Sequence, residues 1–489
     1  MDYLKKAIKN TTLIFGINII AAFVGYLIRM ILARNLSPEE YGLFFAIFTL
    51  INILAIFKYA GLTSALIKFI PEFEVHKKHK RIRTAIMSVF YICLTNSIII
   101  GGIVLLLSDV LIKFYFKNAL ASSILYLFII MSILLTFRDI LRSSFQGLQK
   151  TIPFGLMYLI ENIVILILIS ISFKLNLSII GTTICYILSL IIVIIAFLPW
   201  LNKITGIFKE KIFISKKISS KLIKFGIPLI IGGIGGMIIL YVDTLILTYF
   251  VPLSEVGIYN VVVPTAMMLN FIAVSISQII FPMISELKTR NLDKHLTTGV
   301  SLLQRYSFII IIPLALIMFS FPKLIIRIMF GEMYISGAKT LQILVISMIF
   351  LVLAGINGNI LNGLGKQKTG MKIMLLGGTI NLITNFYFIP KYGIIGAAIT
   401  SLISYFIIMV LTVGMVSYYI KLKFPWLDWV KTIFAGGIFI LIIYKLKQLL
   451  TLNIYLEAVV CVLIAGFIYI GISFLIKTIT IKEIKSFIR

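Results

Sequence analysis

Long apolar stretches follow one another along this chain, separated by short polar connectors. An α-helix needs about 20 apolar residues to cross the hydrocarbon core of a bilayer, where no backbone polar group can stay unpaired. The sequence therefore predicts an all-α, polytopic membrane bundle of about 14 transmembrane helices. They span residues 11–33, 42–69, 84–108, 120–145, 152–173, 177–199, 225–249, 257–284, 301–321, 337–362, 371–388, 394–419, 430–444 and 455–476.

Composition agrees with this pattern. Of the 489 residues, 61% are hydrophobic and 13% are charged, whereas a soluble domain has roughly 25% charged residues. The chain lacks the charged surface that a water-facing globule needs. Its connectors are shorter than about 25 residues, which leaves no room for a nucleotide-binding or soluble catalytic domain. Function must reside in the bundle and its short loops.

The net charge is +28. In a soluble protein such a charge favours nucleic-acid binding, but here it lies in short connectors such as residues 77–83 and 203–224. Lys and Arg are enriched in the cytoplasmic loops of membrane proteins. We therefore predict a multi-pass protein of the cell membrane with both termini cytoplasmic, including the cationic tail at Lys477, Lys482, Lys485 and Arg489, and no nucleic-acid partner.

Residue types that carry catalysis or bind metals are sparse and scattered. The three cysteines lie far apart in apolar stretches, at Cys93, Cys185 and Cys461. The three histidines lie in polar connectors, at His76, His79 and His295. Gly365-Lys366 resembles part of a phosphate-binding loop, but Gln367 replaces the required Ser or Thr. We expect no enzymatic activity, no cofactor and no metal site.

An internal repeat relates the two halves of the chain. At one common offset, Glu40–Phe44 matches Glu255–Tyr259 and Ile179–Gly181 matches Ile394–Gly396, while Gly147–Lys150 matches Gly363–Lys366 one residue off that register. The offset covers an even number of spans, so both halves cross the membrane in the same direction. Parallel repeats are a transporter architecture, with the substrate path between the halves. The alternative is a duplicated structural bundle with no role in transport.

The repeat predicts three regions. Residues 1–200 form an N-terminal six-helix lobe, residues 201–420 form a C-terminal six-helix lobe, and residues 421–489 add two transmembrane helices and a tail.

Four stretches carry a family resemblance. They are Ala33–Phe44, then Tyr241–Asp243 with Glu255–Tyr259, then Phe330–Tyr334, then Asn381–Asn385 with Ile389–Ala398. Together they resemble the polysaccharide-transport (Wzx-like) flippases of the multidrug/oligosaccharidyl-lipid/polysaccharide (MOP) exporter superfamily. The resemblance covers essentially the whole chain. These motifs identify the superfamily better than they identify the substrate.

The resemblance implies two six-helix lobes with two further helices, in agreement with the repeat. It also implies flipping of a polyprenyl- or dolichyl-linked oligosaccharide from the cytoplasmic to the outer leaflet by alternating access, for cell-surface polysaccharide or glycan biosynthesis. The expected partners are that lipid-linked oligosaccharide, membrane lipids and glycan-assembly enzymes, and the expected state is a monomer. Two alternatives stay open: an ion-coupled multidrug exporter of the related branch, and a membrane-embedded glycan polymerase.

Charged residues inside spans indicate where substrate binds, because each costs roughly 2.5–3.5 kcal/mol at the bilayer centre. Such residues usually face a water-filled cavity. The cations expected to contact an anionic substrate are Arg29, Lys58, Arg138 and Arg142. Glu161 and Asp243 are the candidates for ion coupling.

Each candidate also has a simpler structural interpretation. Asp139 and Arg142 are three residues apart and can pair with each other. Arg29 and Lys68 lie near the ends of spans and can extend to the interface. Asp243 can anchor a neighbouring helix, and Glu161 can serve as a structural partner. Asn381 and Asn385 can form interhelical hydrogen bonds.

Overall fold

The computed structural model describes residues 2–208, 214–422, 424–450 and 452–479. Most of the cationic tail used in the topology prediction, including Lys482, Lys485 and Arg489, lies outside the described residues. The α-helices in the described part are α1 Asp2–Asn35, α2 Pro38–Tyr59, α3 Leu62–Val75, α4 His79–Leu106, α5 Ser108–Val110, α6 Ala121–Gly147, α7 Thr151–Lys174, α8 Ile179–Thr205, α9 Lys216–Phe250, α10 Leu253–Met267, α11 Asn270–Thr289, α12 Asp293–Ser320, α13 Pro322–Phe330, α14 Ala338–Gly363, α15 Gln367–Ile420, α16 Trp426–Leu449 and α17 Ile454–Leu475.

The helical fold class and the approximate number of spans are confirmed. Thirteen segments of the described chain are long and apolar enough to cross a membrane. One of them, the 54-residue α15, contains the eleventh and twelfth predicted spans. Gly393 interrupts it with a left-handed φ of 53°, a conformation that glycine adopts without steric cost. Counting α15 as two spans gives the fourteen expected from hydropathy.

Local sequence explains how α2 begins. The Ser37 side chain accepts a hydrogen bond from the Glu40 backbone N–H at 3.2 Å, and the Ser37 N–H donates to the Glu40 carboxylate at 3.0 Å. This capping box satisfies donors that the first helical turn leaves free. Pro38 occupies the first helical position, where a missing N–H costs nothing.

The chain divides into two compact units. Unit 1 comprises Met1–Met237 with Val251–Gly257, and unit 2 comprises Ile238–Phe250 with Ile258–Arg489. In unit 1, α6 packs against α2, α3, α4, α7 and α8, and α1 packs against α7. In unit 2, α14 packs against α11, α12 and α15, and α16 packs against α12 and α17. The lobe boundaries given above stay predictions.

One element of the repeat is confirmed at atomic detail. Helices α6 and α14 both end in the turn that the paired sequences Gly147–Lys150 and Gly363–Lys366 share. Gln149 and Gly365 both have left-handed φ angles, of 55° and 75°. The N–H of Lys150 donates to the carbonyl of Phe145 at 2.9 Å, and the N–H of Lys366 donates to the carbonyl of Leu361 at 2.8 Å. Both are Schellman-type helix ends.

The structure adds a repeated feature that hydropathy did not predict. Short helical segments follow the third and ninth spans: α5 with the π-helical turn Leu111–Phe116, and α13. Phe116 and Phe330 are both buried at the ends of these segments, one residue off the register of the repeat. The nine residues of α13 reach only about 14 Å, too short to cross a bilayer. Hydropathy missed these segments because a window of about 20 residues averages them into their connectors.

Candidate functional site

Five ionisable side chains lie close together inside unit 1. They are Lys58 from α2, Arg138, Asp139 and Arg142 from α6, and Glu161 from α7. Arg138 and Glu161 lie nine and ten residues from the helix ends that flank the α6–α7 connector, which corresponds to about 14 Å. A bilayer core is about 30 Å thick, so this depth is close to its centre. The structure thus brings together three of the four predicted cations and one predicted coupling acid.

Arg138 pairs with both acids of this group. Its Nε lies 3.1 Å from Asp139 Oδ1, and its Nη1 lies 3.6 Å from Glu161 Oε2. The Tyr59 hydroxyl donates to Asp139 Oδ2. Pairing of Asp139 with Arg142, the simpler interpretation above, is wrong, because Arg138 and Tyr59 are the partners of Asp139. Since both carboxylates depend on Arg138, its main role is to position them.

Lys58 is only 2% exposed. Its ammonium donates to the carbonyl of Ser132 at 3.1 Å and lies 4.4 Å from the Tyr59 ring centroid. A small cleft beside it is lined mainly by apolar side chains of α2, α4 and α6, namely Ile51, Leu54, Ala55, Ile100, Val104 and Ile129. In the described part of the chain, Lys58 has no carboxylate within 4.0 Å. The helix–helix contact with Ser132 makes Lys58 a structural cation as much as a binding one.

Arg142 has no carboxylate within 4.0 Å among the described residues, although Asp139 and Glu161 interact with it electrostatically at longer range. Its guanidinium lies over two rings of α7, 4.8 Å from the Phe154 centroid and 5.2 Å from the Tyr158 centroid. The buried Nε has no hydrogen-bond partner in the described residues. Aromatic faces stabilise a guanidinium without occupying its N–H groups. Arg142 therefore keeps donors available for an anion.

Arg29 has different neighbours from this cluster. Its guanidinium lies 4.4 Å from the ring centroid of Phe45. Tyr41 and Tyr186 both interact with it electrostatically, and Tyr186 also interacts with Glu161. Arg29 thus borders the five-residue cluster through Tyr186. Lys68, which was expected to extend toward the interface, lies over the rings of Phe69 and Phe225.

Asp243 forms the polar centre of unit 2. Its carboxylate accepts three hydrogen bonds: from the Asn385 amide at 2.7 Å, the Tyr259 hydroxyl at 2.7 Å and the Ser401 hydroxyl at 2.8 Å. Asp243 is 5% exposed, and none of its described partners is a cation. The expected interhelical hydrogen bonding is confirmed for Asn385. Asp243 does hold helices together, but its negative charge has no described counter-charge.

A second layer of polar groups surrounds Asp243. Asn385 also donates to Asn381 Oδ1 at 3.1 Å and accepts from the Thr400 hydroxyl at 2.5 Å. These oxygen-rich side chains suit a small hard cation better than an organic one. Within the described residues, no group of three or more His, Cys, Asp or Glu side chains could hold a metal ion.

Apart from Asn385, the uncharged partners at both centres were not predicted from the sequence. Phe154, Tyr158 and Glu161 are spaced four and three residues apart, so they share one face of α7; this spacing was the available signal. Tyr259 lies within the repeated motif Glu255–Tyr259. For Ser401 the only signal in the sequence was a polar residue within an apolar span. That signal is weak, because many Ser and Thr hydroxyls in such spans donate to a carbonyl of their own helix.

The chain is similar to membrane proteins of a known family. The model of a family described as "Polysaccharide biosynthesis protein" matches residues 7–288, and the MatE model matches residues 228–387. An uncharacterized membrane protein of Methanocaldococcus jannaschii is 31% identical over 100% of this chain and 99% of its own length. The "Probable low-salt glycan biosynthesis flippase Agl15" of Haloferax volcanii is 24% identical over 62% of this chain and 63% of its own length.

Among solved structures, the inward closed conformation of the lipid II flippase MurJ superposes with a TM-score of 0.77 at 19% identity. The match covers 94% of this chain and 98% of that one. At this level of identity the match shows a shared fold.

Proposed function

Because the chain belongs to the polysaccharide biosynthesis protein family of the MOP exporter superfamily, we propose that it flips a polyprenyl- or dolichyl-linked oligosaccharide from the cytoplasmic to the outer leaflet by alternating access. The observation that supports this most directly is Arg142, a half-buried guanidinium held in the apolar bundle by aromatic rings and without a carboxylate within 4.0 Å among the described residues. The flippase names of the Haloferax relative and of the structural neighbour agree with it.

In this proposal Arg142 binds the phosphate that joins lipid to sugar. A guanidinium offers two parallel N–H groups to a phosphate, and such charge-assisted pairs are roughly twice as strong as neutral hydrogen bonds. Arg138 holds Asp139 and Glu161 in place through its two ion pairs. Lys58 adds positive charge deeper in unit 1, and Arg29 borders the cluster through Tyr186. The isoprenoid tail stays in the bilayer while the headgroup crosses.

The Lys and Arg distribution favours a cytoplasmic location for both termini, and we adopt that orientation in the proposal. Arg142 then lies five residues from the cytoplasmic end of α6, about 7.5 Å along the helix. It is the cluster cation nearest the leaflet from which substrate enters. No reaction step is needed for this function, so we propose a transporter without catalytic activity. Membrane lipids and glycan-assembly enzymes are its proposed partners, and a monomer its proposed state.

We propose Asp243 as the site that couples flipping to an ion gradient. Its carboxylate is stabilised only by neutral donors in the described residues, so a cation or proton can replace them without breaking an ion pair. Glu161 is less suited to this role because Arg138 already neutralises it. Product removal at the outer face is the alternative source of energy.

A multidrug exporter is the second candidate, because the MatE model matches residues 228–387. Substrates of that branch are mostly cationic. The three cations of the unit 1 cluster against two acids disfavour a cationic substrate there.

Reconstitution into vesicles tests the proposal. Purified protein is incorporated together with a fluorescent lipid-linked oligosaccharide, and headgroups reaching the opposite leaflet are measured with and without an imposed Na⁺ or proton gradient. We expect flipping above the rate of protein-free vesicles. No acceleration across several headgroups and both gradients, with export of a cationic dye instead, would favour the multidrug exporter.

A further inference from the structure

The charges of the unit 1 cluster do not balance. Three cations, Lys58, Arg138 and Arg142, lie with two carboxylates, Asp139 and Glu161. Arg138 forms ion pairs with both acids, and Lys58 and Arg142 interact with them electrostatically at longer range. One net positive charge therefore remains in the cluster, and among the described residues neither Lys58 nor Arg142 has a carboxylate within 4.0 Å.

A net charge at this depth strongly restricts the anion that can bind. Electrostatic interactions are stronger where water is scarce, and an unmatched buried charge is costly. An anion with one charge neutralises the cluster. An anion with two charges leaves a net negative charge next to Asp139 and Glu161, which repel it.

Geometry agrees with the charge count. Arg142 is the one cluster cation with neither an ion pair within 4.0 Å nor a hydrogen bond to a described protein acceptor, and a single guanidinium matches a single phosphate. Lys58 is held on Ser132 at 2% exposure, and Arg138 is committed to two carboxylates. A second phosphate would find no second free guanidinium among the described residues of this cluster.

We propose that this cluster selects carrier lipids joined to their sugar by a single phosphodiester, with one negative charge, over those joined by a diphosphate, with two. Glu161 sets the selection, because its carboxylate lowers the cluster charge from +2 to +1. This inference rests on the proposed flipping function, and it makes Glu161 a specificity-determining residue that does not itself contact the phosphate.

The test compares two fluorescent probes with the same prenyl chain and the same sugar, one linked by a phosphodiester and one by a diphosphate. Flipping in reconstituted vesicles is measured for each, and the ratio of initial rates is the readout. We expect the wild-type protein to favour the phosphodiester probe by at least about 10-fold. Glu161→Gln should shift the ratio at least about 10-fold toward the diphosphate probe.

Two controls isolate the charge of Glu161. Glu161→Asp keeps the charge and should keep the preference for the phosphodiester. Glu72→Gln removes a carboxylate of α3 that pairs with Lys221 at 2.7 Å, both side chains being 45% exposed, and it should leave the ratio unchanged. If Glu161→Gln does not fold, Asp139→Asn makes the same charge change and should shift the ratio in the same direction.

The outcomes separate this inference from the function on which it rests. If neither probe flips, the proposed function fails. If both probes flip at equal rates, or the wild-type protein prefers the diphosphate, the function stands and the charge selection is wrong. The selection is equally wrong if every folded variant keeps the wild-type ratio.

Discussion

In unit 1 the half-buried Asp139 and the buried Glu161 are held by a cation, Arg138. In unit 2 the buried acid Asp243 is held by neutral donors, the side chains of Tyr259, Asn385 and Ser401. An ion pair with good geometry is costly to break, because either partner is then left as a buried charge. A carboxylate among neutral donors can exchange them for a cation. Unit 1 is therefore suited to offer a permanent charge to an anion, and unit 2 to bind and release a cation.

The repeat makes this contrast more specific. In the register of the repeat, Ser401 corresponds to Tyr186, and Asp243 and Tyr259 correspond to Ile28 and Phe44, the residues that precede Arg29 and Phe45. Arg29 lies over Phe45 and interacts with Tyr186, while Asp243 accepts from Tyr259 and Ser401. Neighbouring positions of the repeat thus carry opposite charges, Arg29 in unit 1 and Asp243 in unit 2.

The largest expected effect comes from removing Arg138, the cation that pairs with two acids in unit 1. Arg138→Gln leaves Asp139 and Glu161 without their ion-pair partner, which costs about 3–5 kcal/mol for a buried pair. Thermal unfolding in detergent should show a large drop in midpoint. The double variant Arg138→Gln with Glu161→Gln should recover part of the loss, because one orphaned charge is removed. An unchanged midpoint in the single variant would contradict the pairing of Arg138 with both acids.

Arg142→Gln should separate binding from folding. The guanidinium has no acidic partner to orphan in the described residues, so we expect an unfolding midpoint close to wild type. Charge-assisted hydrogen bonds are worth about 1.5–3 kcal/mol, so the flipping rate should fall by about 10- to 100-fold. Arg81→Gln, at an exposed position of the basic connector, is the matched control. The assignment of Arg142 fails if both variants flip at the wild-type rate.

The double variant Arg138→Gln with Arg142→Gln should abolish flipping while the protein remains in the membrane, as judged by its amount in the membrane fraction. Retained wild-type flipping would refute a role for both cations.

Asp243→Asn addresses the unit 2 side of the comparison. The amide nearly preserves the shape of the carboxylate but removes the charge that attracts a cation. We expect the protein to fold and an imposed ion gradient to lose its stimulation of flipping. Exposed Asp109→Asn should keep that stimulation. Full stimulation in Asp243→Asn would assign energy coupling elsewhere.

The smallest expected effect compares the two repeated helix ends. Gly365 has a φ of 75° with open space where a Cβ would lie, and Gln149 has a φ of 55° at the equivalent turn. A left-handed non-glycine residue costs roughly 1–2 kcal/mol. Gly365→Ala should therefore lower the unfolding free energy by about 1 kcal/mol, and Gln149→Gly should raise it by less. Shifts of opposite sign in the unfolding midpoints of the two variants, relative to wild type, would support the equivalence of the turns, and shifts of the same sign would contradict it.

Sequence alone predicted the helical class, the approximate number of spans and the parallel repeat, because hydropathy over about 20 residues is set by the bilayer rather than by packing. It also predicted which charges lie at depth, since Lys58, Arg138, Arg142, Glu161 and Asp243 interrupt apolar stretches. Because the bilayer requires long apolar helices, the spans and the charged residues within them can be recognised from the sequence. Short segments such as α13 were not predicted, because they are too short to give the hydropathy signal of a membrane span.

Only the tertiary structure decided which charge meets which. The spacing of Asp139 and Arg142 allows an ion pair, yet Asp139 pairs with Arg138 and Tyr59, and Arg142 lies on Phe154 and Tyr158. Likewise, Asp243 finds donors 16, 142 and 158 residues away in the chain. Side-chain direction depends on how neighbouring helices are rotated and packed, and helical periodicity within one segment does not contain that information.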